Sequence, residues 1–182
     1  MRHILLYVLL LSGIQALAQQ KVSYAIQLGK ISQDQLIVEV KPPGLKAGSV
    51  EYCFPKIVPG TYANYDFGRY ISHFKAFDAA GKELKFTKKS VNQYLIKEGQ
   101  KIAKIRYAVD DTWDSPEIEG EYVFEPAGTS FQADTLFALN THGLLGYFKG
   151  YEKTAIELEI SHPNNLYGAS SIKSTQKGNK DL

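Results

Sequence analysis

Apolar residues recur at every second position through most of this chain, and proline or glycine breaks each run before it reaches helical length. In VSYAIQL at 22–28 and QLIVEV at 35–40, valine, tyrosine, isoleucine and leucine share one face. That is the period of a half-buried strand. Pro42-Pro43-Gly44 stops the second run, because proline has no N–H to give a sheet ladder. Further runs stand at 50–54, 70–77, 84–87, 92–96, 102–109 and 155–160, with Ala79-Ala80-Gly81-Lys82 as a hairpin turn. Helical signal is sparse: THGLLGYF at 141–148 has room for one turn before its glycines weaken it. Many short strands with polar turns predict an all-β chain, an antiparallel β-sandwich with at most one short helical turn.

The first residues read as targeting sequence. Arg2 and His3 precede the apolar run ILLYVLLL, and Ala16-Leu17-Ala18 supplies small residues for a signal peptidase. A signal peptide at 1–18 and export to the periplasm or the medium are expected. The apolar run falls short of the ~20 residues that span a bilayer, so no membrane contact is expected after cleavage. The sandwich domain is assigned to 19–162. Residues 163–182 end in SIKSTQKGNKDL, which lacks an apolar pattern, and read as a linker or the truncated start of a next domain. The formal net charge is +2 with both signs interspersed, so nucleic acid is not an expected partner.

Chemistry-bearing motifs are scarce. Cys53 is the only cysteine; flanked by Tyr52 and Phe54, it reads as a small buried hydrophobe. His73, His142 and His162 are widely separated and fit no HExxH helix or Cys/His ligand spacing. His73 reads as a half-buried strand residue and His162, before Pro163, as a solvated turn residue. No GxSxG elbow or phosphate-cradling loop is present. The acidic stretch at 110–125 has carboxylates enough for a pair, but sequence does not set their separation. No catalytic, cofactor-binding or metal residue is expected in this chain.

The least generic stretch is FPKIVPGTYANYDFGRYISHF at 54–74. Val58-Pro59-Gly60-Thr61 specifies a tight turn, proline fixing φ and glycine accepting a positive one. Tyr62, Tyr65 and Phe67 then fit neither strand nor helix spacing, and Asp66 and Arg69 are placed to pair or to cap the next element. Two readings follow: aromatics that plug one end of the sandwich, or an aromatic binding face.

On these residues the chain resembles the N-terminal domain of the glycyl aminopeptidase family of zinc metallopeptidases, the sixty-first metallopeptidase family. That family's Pro-x-Trp-x-Pro-Gly-x-Tyr motif, followed by an acidic-aromatic step and an arginine, is matched by Pro55, Pro59, Gly60, Tyr62, Asp66, Phe67 and Arg69. FKAFD at 74–78, YAV at 107–109 and LNTHGLLGYFKGYE at 139–152 also match, whereas Ile57 stands where the family often has tryptophan. The resemblance implies a β-rich domain without catalytic residues, packed against a thermolysin-like catalytic domain and walling its cleft. Zinc is then expected only in that catalytic domain, which this chain lacks, and a peptide substrate would be met indirectly. Asn140, Thr141, His142 and Gly143 form the candidate cleft-facing loop.

A rival reading is a free-standing module for peptide or glycan, using Tyr62, Tyr65 and Trp113 as exposed, coplanar platforms. A second rival is an interaction domain with an apolar patch and no cleft.

Overall fold

The computed structural model describes residues 20–31, 33–115, 118, 120 and 122–182. The targeting segment expected at 1–18 lies outside them, as do Pro116, Glu117, Glu119 and Glu121 of the acidic stretch.

The alternation becomes two packed sheets. β1 (Lys21–Gln27), β2 (Gln35–Lys41), β4 (Ile71–Phe77), β5 (Glu83–Leu84), β8 (Lys104–Asp110), β12 (Ala155–Ser161), β13 (Gln176–Lys177) and β14 (Lys180–Asp181) form the larger sheet. Their order is β13-β14-β12-β1-β2-β8-β4-β5. Across from it, β3 (Val50–Cys53), β6 (Phe86–Ser90), β7 (Gln93–Ile96) and β11 (Tyr147–Phe148) line up as β11-β3-β7-β6. A ribbon of β9 (Ser130–Gln132) and β10 (Leu136–Ala138) leads into one helical turn, α1 (Thr141–Leu144).

Register follows from the pattern. Val22, Tyr24 and Ile26 of β1 and Leu36, Val38 and Val40 of β2 all point inward and are buried, because a slip of one residue would turn each set to solvent. Ile105, Tyr107 and Val109 of β8 continue this face, and Tyr52, Tyr94, Ile96 and Phe148 meet it from the smaller sheet. Aromatic rings fill the centre: Phe74 stacks on Tyr94 at 4.1 Å and meets Phe86 edge-on at 5.0 Å. Each such pair adds about 0.5–1.5 kcal/mol beyond the area it buries.

Among the described residues the sandwich and its single short α-turn agree with the sequence reading, and the ladders are antiparallel with one exception. β12 runs parallel to β1, Lys21 facing Ala155 through Gln27 facing Ser161. The chain reaches β12 from β11 in the opposite sheet, so it crosses over before joining the edge of β1, and a parallel pair requires such a crossover.

Two local expectations need correction. His73 is exposed, not half-buried, with a positive φ of 52° at a break in the β4–β8 register between Ser72 and Lys75. A bulge inserts an unpaired residue and turns its side chain out of the alternation. His162 is buried, not solvated: its N–H donates to the Asn179 carbonyl at 3.0 Å, and its Nε2 lies 3.4 Å from an Asp181 oxygen. What covers it is the hairpin β13–β14, within the residues read as a linker, where β14 adds to β12 through Ile160–Asp181 and Ser161–Lys180. That hairpin has no apolar pattern because its side chains are almost all exposed, so periodicity had nothing to report. Cys53 is buried as expected, and burial pushes its thiol pKa up.

Candidate functional site

One end of the sandwich gathers three segments far apart in sequence: the corner at 55–70, the acidic loop at 111–129 and α1. The corner is built first by its turn. Thr61 donates from both backbone and hydroxyl to the Val58 carbonyl, at 3.2 and 2.8 Å, and Gly60 takes a φ of 92°, the left-handed value a side chain would resist. The chain then doubles back, Tyr65 and Asp66 donating to the Lys56 carbonyl and Phe67 to that of Pro55. This reversal sorts the aromatics. Tyr65, Phe67 and Tyr70 turn inward with Val123 and Ala127 as a second buried cluster, whereas Tyr62 is fully exposed. Ile57, in the place of the family's tryptophan, is half-exposed.

Asp66 neither holds an N-cap bond nor stands idle: its carboxylate accepts from the Asn92 amide at 2.7 Å, tying the corner to the smaller sheet. Arg69 lies over the Tyr70 ring at 4.8 Å and donates to the Tyr65 carbonyl at 2.7 Å and, more weakly, to that of Ile118 at 3.4 Å. It joins the corner to the acidic loop.

The loop is closed at its base. Asp111 is buried and accepts from the backbone N–H groups of Trp113 and Phe131, while the Thr112 hydroxyl donates to the Thr129 carbonyl and accepts from the Thr129 N–H. Burial raises the Asp111 pKa even against those two hydrogen bonds. Asp34, from the β1–β2 turn, and Asp114 bring carboxylate oxygens within 4.8 Å of one another and of Asp111. Asp34 is raised as well, by burial first and then by Asp114. These acids are the described residues whose oxygens could share a hard cation, but both Asp111 oxygens are already committed to the loop. The set contains no histidine, and an all-carboxylate group does not fit the histidine-rich ligation of a peptidase zinc. Beyond the loop, Arg69, Tyr70, Trp113 and Tyr122 line a shallow cleft of about 290 Å³.

The sequence-named turn sits against both. Asn140 caps α1 through its side-chain oxygen, which accepts the His142 N–H at 3.0 Å, and its amide reaches the Pro126 carbonyl at 3.3 Å. Gly143 backs onto Thr129 and Phe67, so a Cβ there would touch both. The structure thus brings Asn140–Gly143 together with Phe67 and Arg69 at one end. The rival platform comes apart: Tyr65 is 2% exposed, which leaves Tyr62 and Trp113 without the third ring.

What sequence reasoning missed is how the turn is held. Three buried tyrosine hydroxyls converge behind it. Tyr24 donates to the Gly146 carbonyl at 2.6 Å and Tyr107 to that of Leu144 at 2.8 Å; Tyr107 also accepts the Gly146 N–H, and Tyr52 lies 3.4 Å from it. Gly146 is required there, since a Cβ would stand 2.4 Å from the Tyr52 ring. The only sequence signal was a glycine inside an apolar run.

The comparisons with known proteins meet this geometry. The model of the peptidase M61 N-terminal domain matches residues 23–181. The chain belongs to that family. An aminopeptidase N family protein from Idiomarina loihiensis has the same fold at a TM-score of 0.59 and 19% identity, covering 79% of this chain and 22% of that one. This chain thus spans about a fifth of the length of that protein. An M1 zinc metallopeptidase from Deinococcus radiodurans aligns at a TM-score of only 0.39 and 10% identity, covering 89% of this chain and 37% of that one. No curated protein matches the chain.

Burial pushes the hydroxyl pKa values of Tyr24, Tyr52 and Tyr107 far above the ordinary value. Above pH about 10 the unfolded chain releases these protons and the folded one keeps them, so stability falls as pH rises. Tyr107→Phe is expected to cost about 1–3 kcal/mol near neutral pH, by stranding Leu144 and Gly146. It should also flatten the alkaline loss by up to about 1.4 kcal/mol per pH unit. Urea unfolding at pH 7 and at several values above 10 checks both; a cost near zero with an unchanged slope contradicts the network.

Proposed function

We propose that this chain is the non-catalytic N-terminal domain of an exported zinc aminopeptidase-like protein. In this reading it packs against the catalytic domain and walls the cleft through which a peptide substrate enters. The observation that carries it is the end described above. The polar turn Asn140–Gly143 is fixed from inside by the core, while Trp113, Tyr122 and Phe124 beside it are left partly or largely exposed. A rigid polar rim next to exposed aromatics is what an interface of buried anchors and a wet margin needs. Zinc and hydrolysis are assigned to the partner domain, because the donor sets described here do not suit that metal. Export rests on the basic start, apolar run and Ala16-Leu17-Ala18 of the first residues.

Calorimetric titration with a separately produced catalytic domain of an M61 peptidase tests the packing. The chain is expected to bind, and Trp113→Ala with Tyr122→Ala to weaken binding by roughly tenfold or more at an unchanged melting temperature. Wild-type chain that ignores the catalytic domain contradicts the reading. So does pure chain that cleaves glycyl or alanyl substrates and loses that activity to a chelator.

Edman sequencing of the protein recovered from the periplasm or medium should begin at Gln19. Recovery from the cytoplasm with Met1 retained argues against export.

A further inference from the structure

A carboxylate lies on the core-facing side of the larger sheet. In the β12–β14 ladder Asp181 stands directly opposite Ile160. Residues so opposed share a face, and Ile160 packs on the core. The Asp181 side chain is 16% exposed. It is seated against the backbone of Gly168, where a Cβ would run into a carboxylate oxygen. Beside it is the imidazole of His162, 5% exposed.

Both nitrogens of that ring face acceptors. Nδ1 lies 2.9 Å from the Pro163 carbonyl oxygen, which can only accept, so Nδ1 carries a proton. Nε2 is buried without a hydrogen-bond partner and lies 3.4 Å from an Asp181 oxygen. A neutral ring would turn a lone pair toward a carboxylate there; an imidazolium puts a proton there and makes the contact an ion pair. Other charges stand apart from the ring. Glu159 of β12 pairs with Lys180 of β14 among exposed side chains, and Lys30, in the turn after β1, is exposed. Among the described residues the ring's one ion-pair contact is Asp181.

Little else holds the β13–β14 hairpin in place. Its ladder with β12 is two residues long, and Gln176, Lys177 and Lys180 are exposed. A two-stranded hairpin is marginal on its own in water, so its position depends on the contacts at His162 and Asp181.

We propose that His162 and Asp181 form a buried proton latch on this hairpin. With the imidazolium in place the hairpin is closed on β12. When the second ring proton leaves, the carboxylate faces a lone pair and the hairpin opens. Opening releases a proton to water, so closure is favoured at low pH and lost as pH rises. The change falls in the range of about pH 5 to 8, over which histidine side chains change charge. The latch needs only the two side chains and the short ladder, and it stands apart from the assignment of a partner domain.

Imidazole nitrogen NMR and amide exchange of the whole chain, at pH 5 and at pH 8, test this. At pH 5 both ring nitrogens of His162 should give the imidazolium signal. The His162 amide, which donates to the Asn179 carbonyl, should lose protection roughly tenfold or more by pH 8, after correction for intrinsic exchange, while β8 keeps its own. Asp181→Asn preserves the shape and offers a neutral Nε2 an N–H, so its His162 amide should be equally protected at both pH values. A ring that is neutral at pH 5 overturns the proposal; this measurement needs no variant and holds even if Asp181→Asn fails to fold. Equal protection of the wild-type His162 amide at the two pH values overturns it too, as does a pH dependence that Asp181→Asn leaves intact.

Discussion

The interaction on which the rest of this domain depends is the set of buried hydroxyls between the sheets. Tyr24 and Tyr107 rise from the larger sheet and bond the short segment from Leu144 to Gly146, and Tyr52, from the smaller sheet, lies against the Tyr107 hydroxyl. A hydroxyl left without a partner in such a core costs about 1–3 kcal/mol. The segment therefore cannot lift away without stranding several polar groups at once. By contrast, the exposed ion pairs on the outer faces, such as Lys75–Glu83, contribute about 0–1 kcal/mol each. The core and the end turn are coupled: disturbing either disturbs the other.

That coupling gives the end of the sandwich its character. A loop held only by its own turn bonds would open readily, but α1 is capped by Asn140 at its front and anchored by tyrosines at its back. The corner is tied with the same economy, Asp66 to Asn92 and Arg69 across to the acidic loop. Rigid backbone beneath exposed aromatic rings lowers the entropy lost when a partner docks. The same sequence stretch thus plugs the fold with Tyr65, Phe67 and Tyr70 and leaves Tyr62 outside.

Much of this was legible beforehand, and the reasons are specific. Alternation located the strands because each has one wet face, as in β2 with Leu36, Val38 and Val40 inward. The Pro59-Gly60 turn was legible because its chemistry is local. Asn140–Gly143 was named as a loop, and the helical turn was expected from 141–148. The tyrosine network was not legible, because a core tyrosine and a core phenylalanine give the same periodicity, and the partner carbonyls carry no sequence mark. His162 was misread because its cover comes from a hairpin of polar residues. Parallel pairing of β12 with β1 left no trace either, since a strand alternates alike whichever way its neighbour runs. The proximity of Asp34 to Asp111 arises from β2–β8 pairing, which sets Gln35 beside Asp110.

Amide exchange at Gly143, Leu145 and Gly146, compared with β8 inside the larger sheet and β6 at the edge of the smaller one, is the most direct test of the central claim. If the tyrosines hold the turn as part of the core, Leu145, which donates to the Thr141 carbonyl, and Gly146, which donates to Tyr107, exchange only with global unfolding and match β8. Exchange of those amides at the rate of β6, while β8 stays protected, would show that the turn opens on its own and contradict the account.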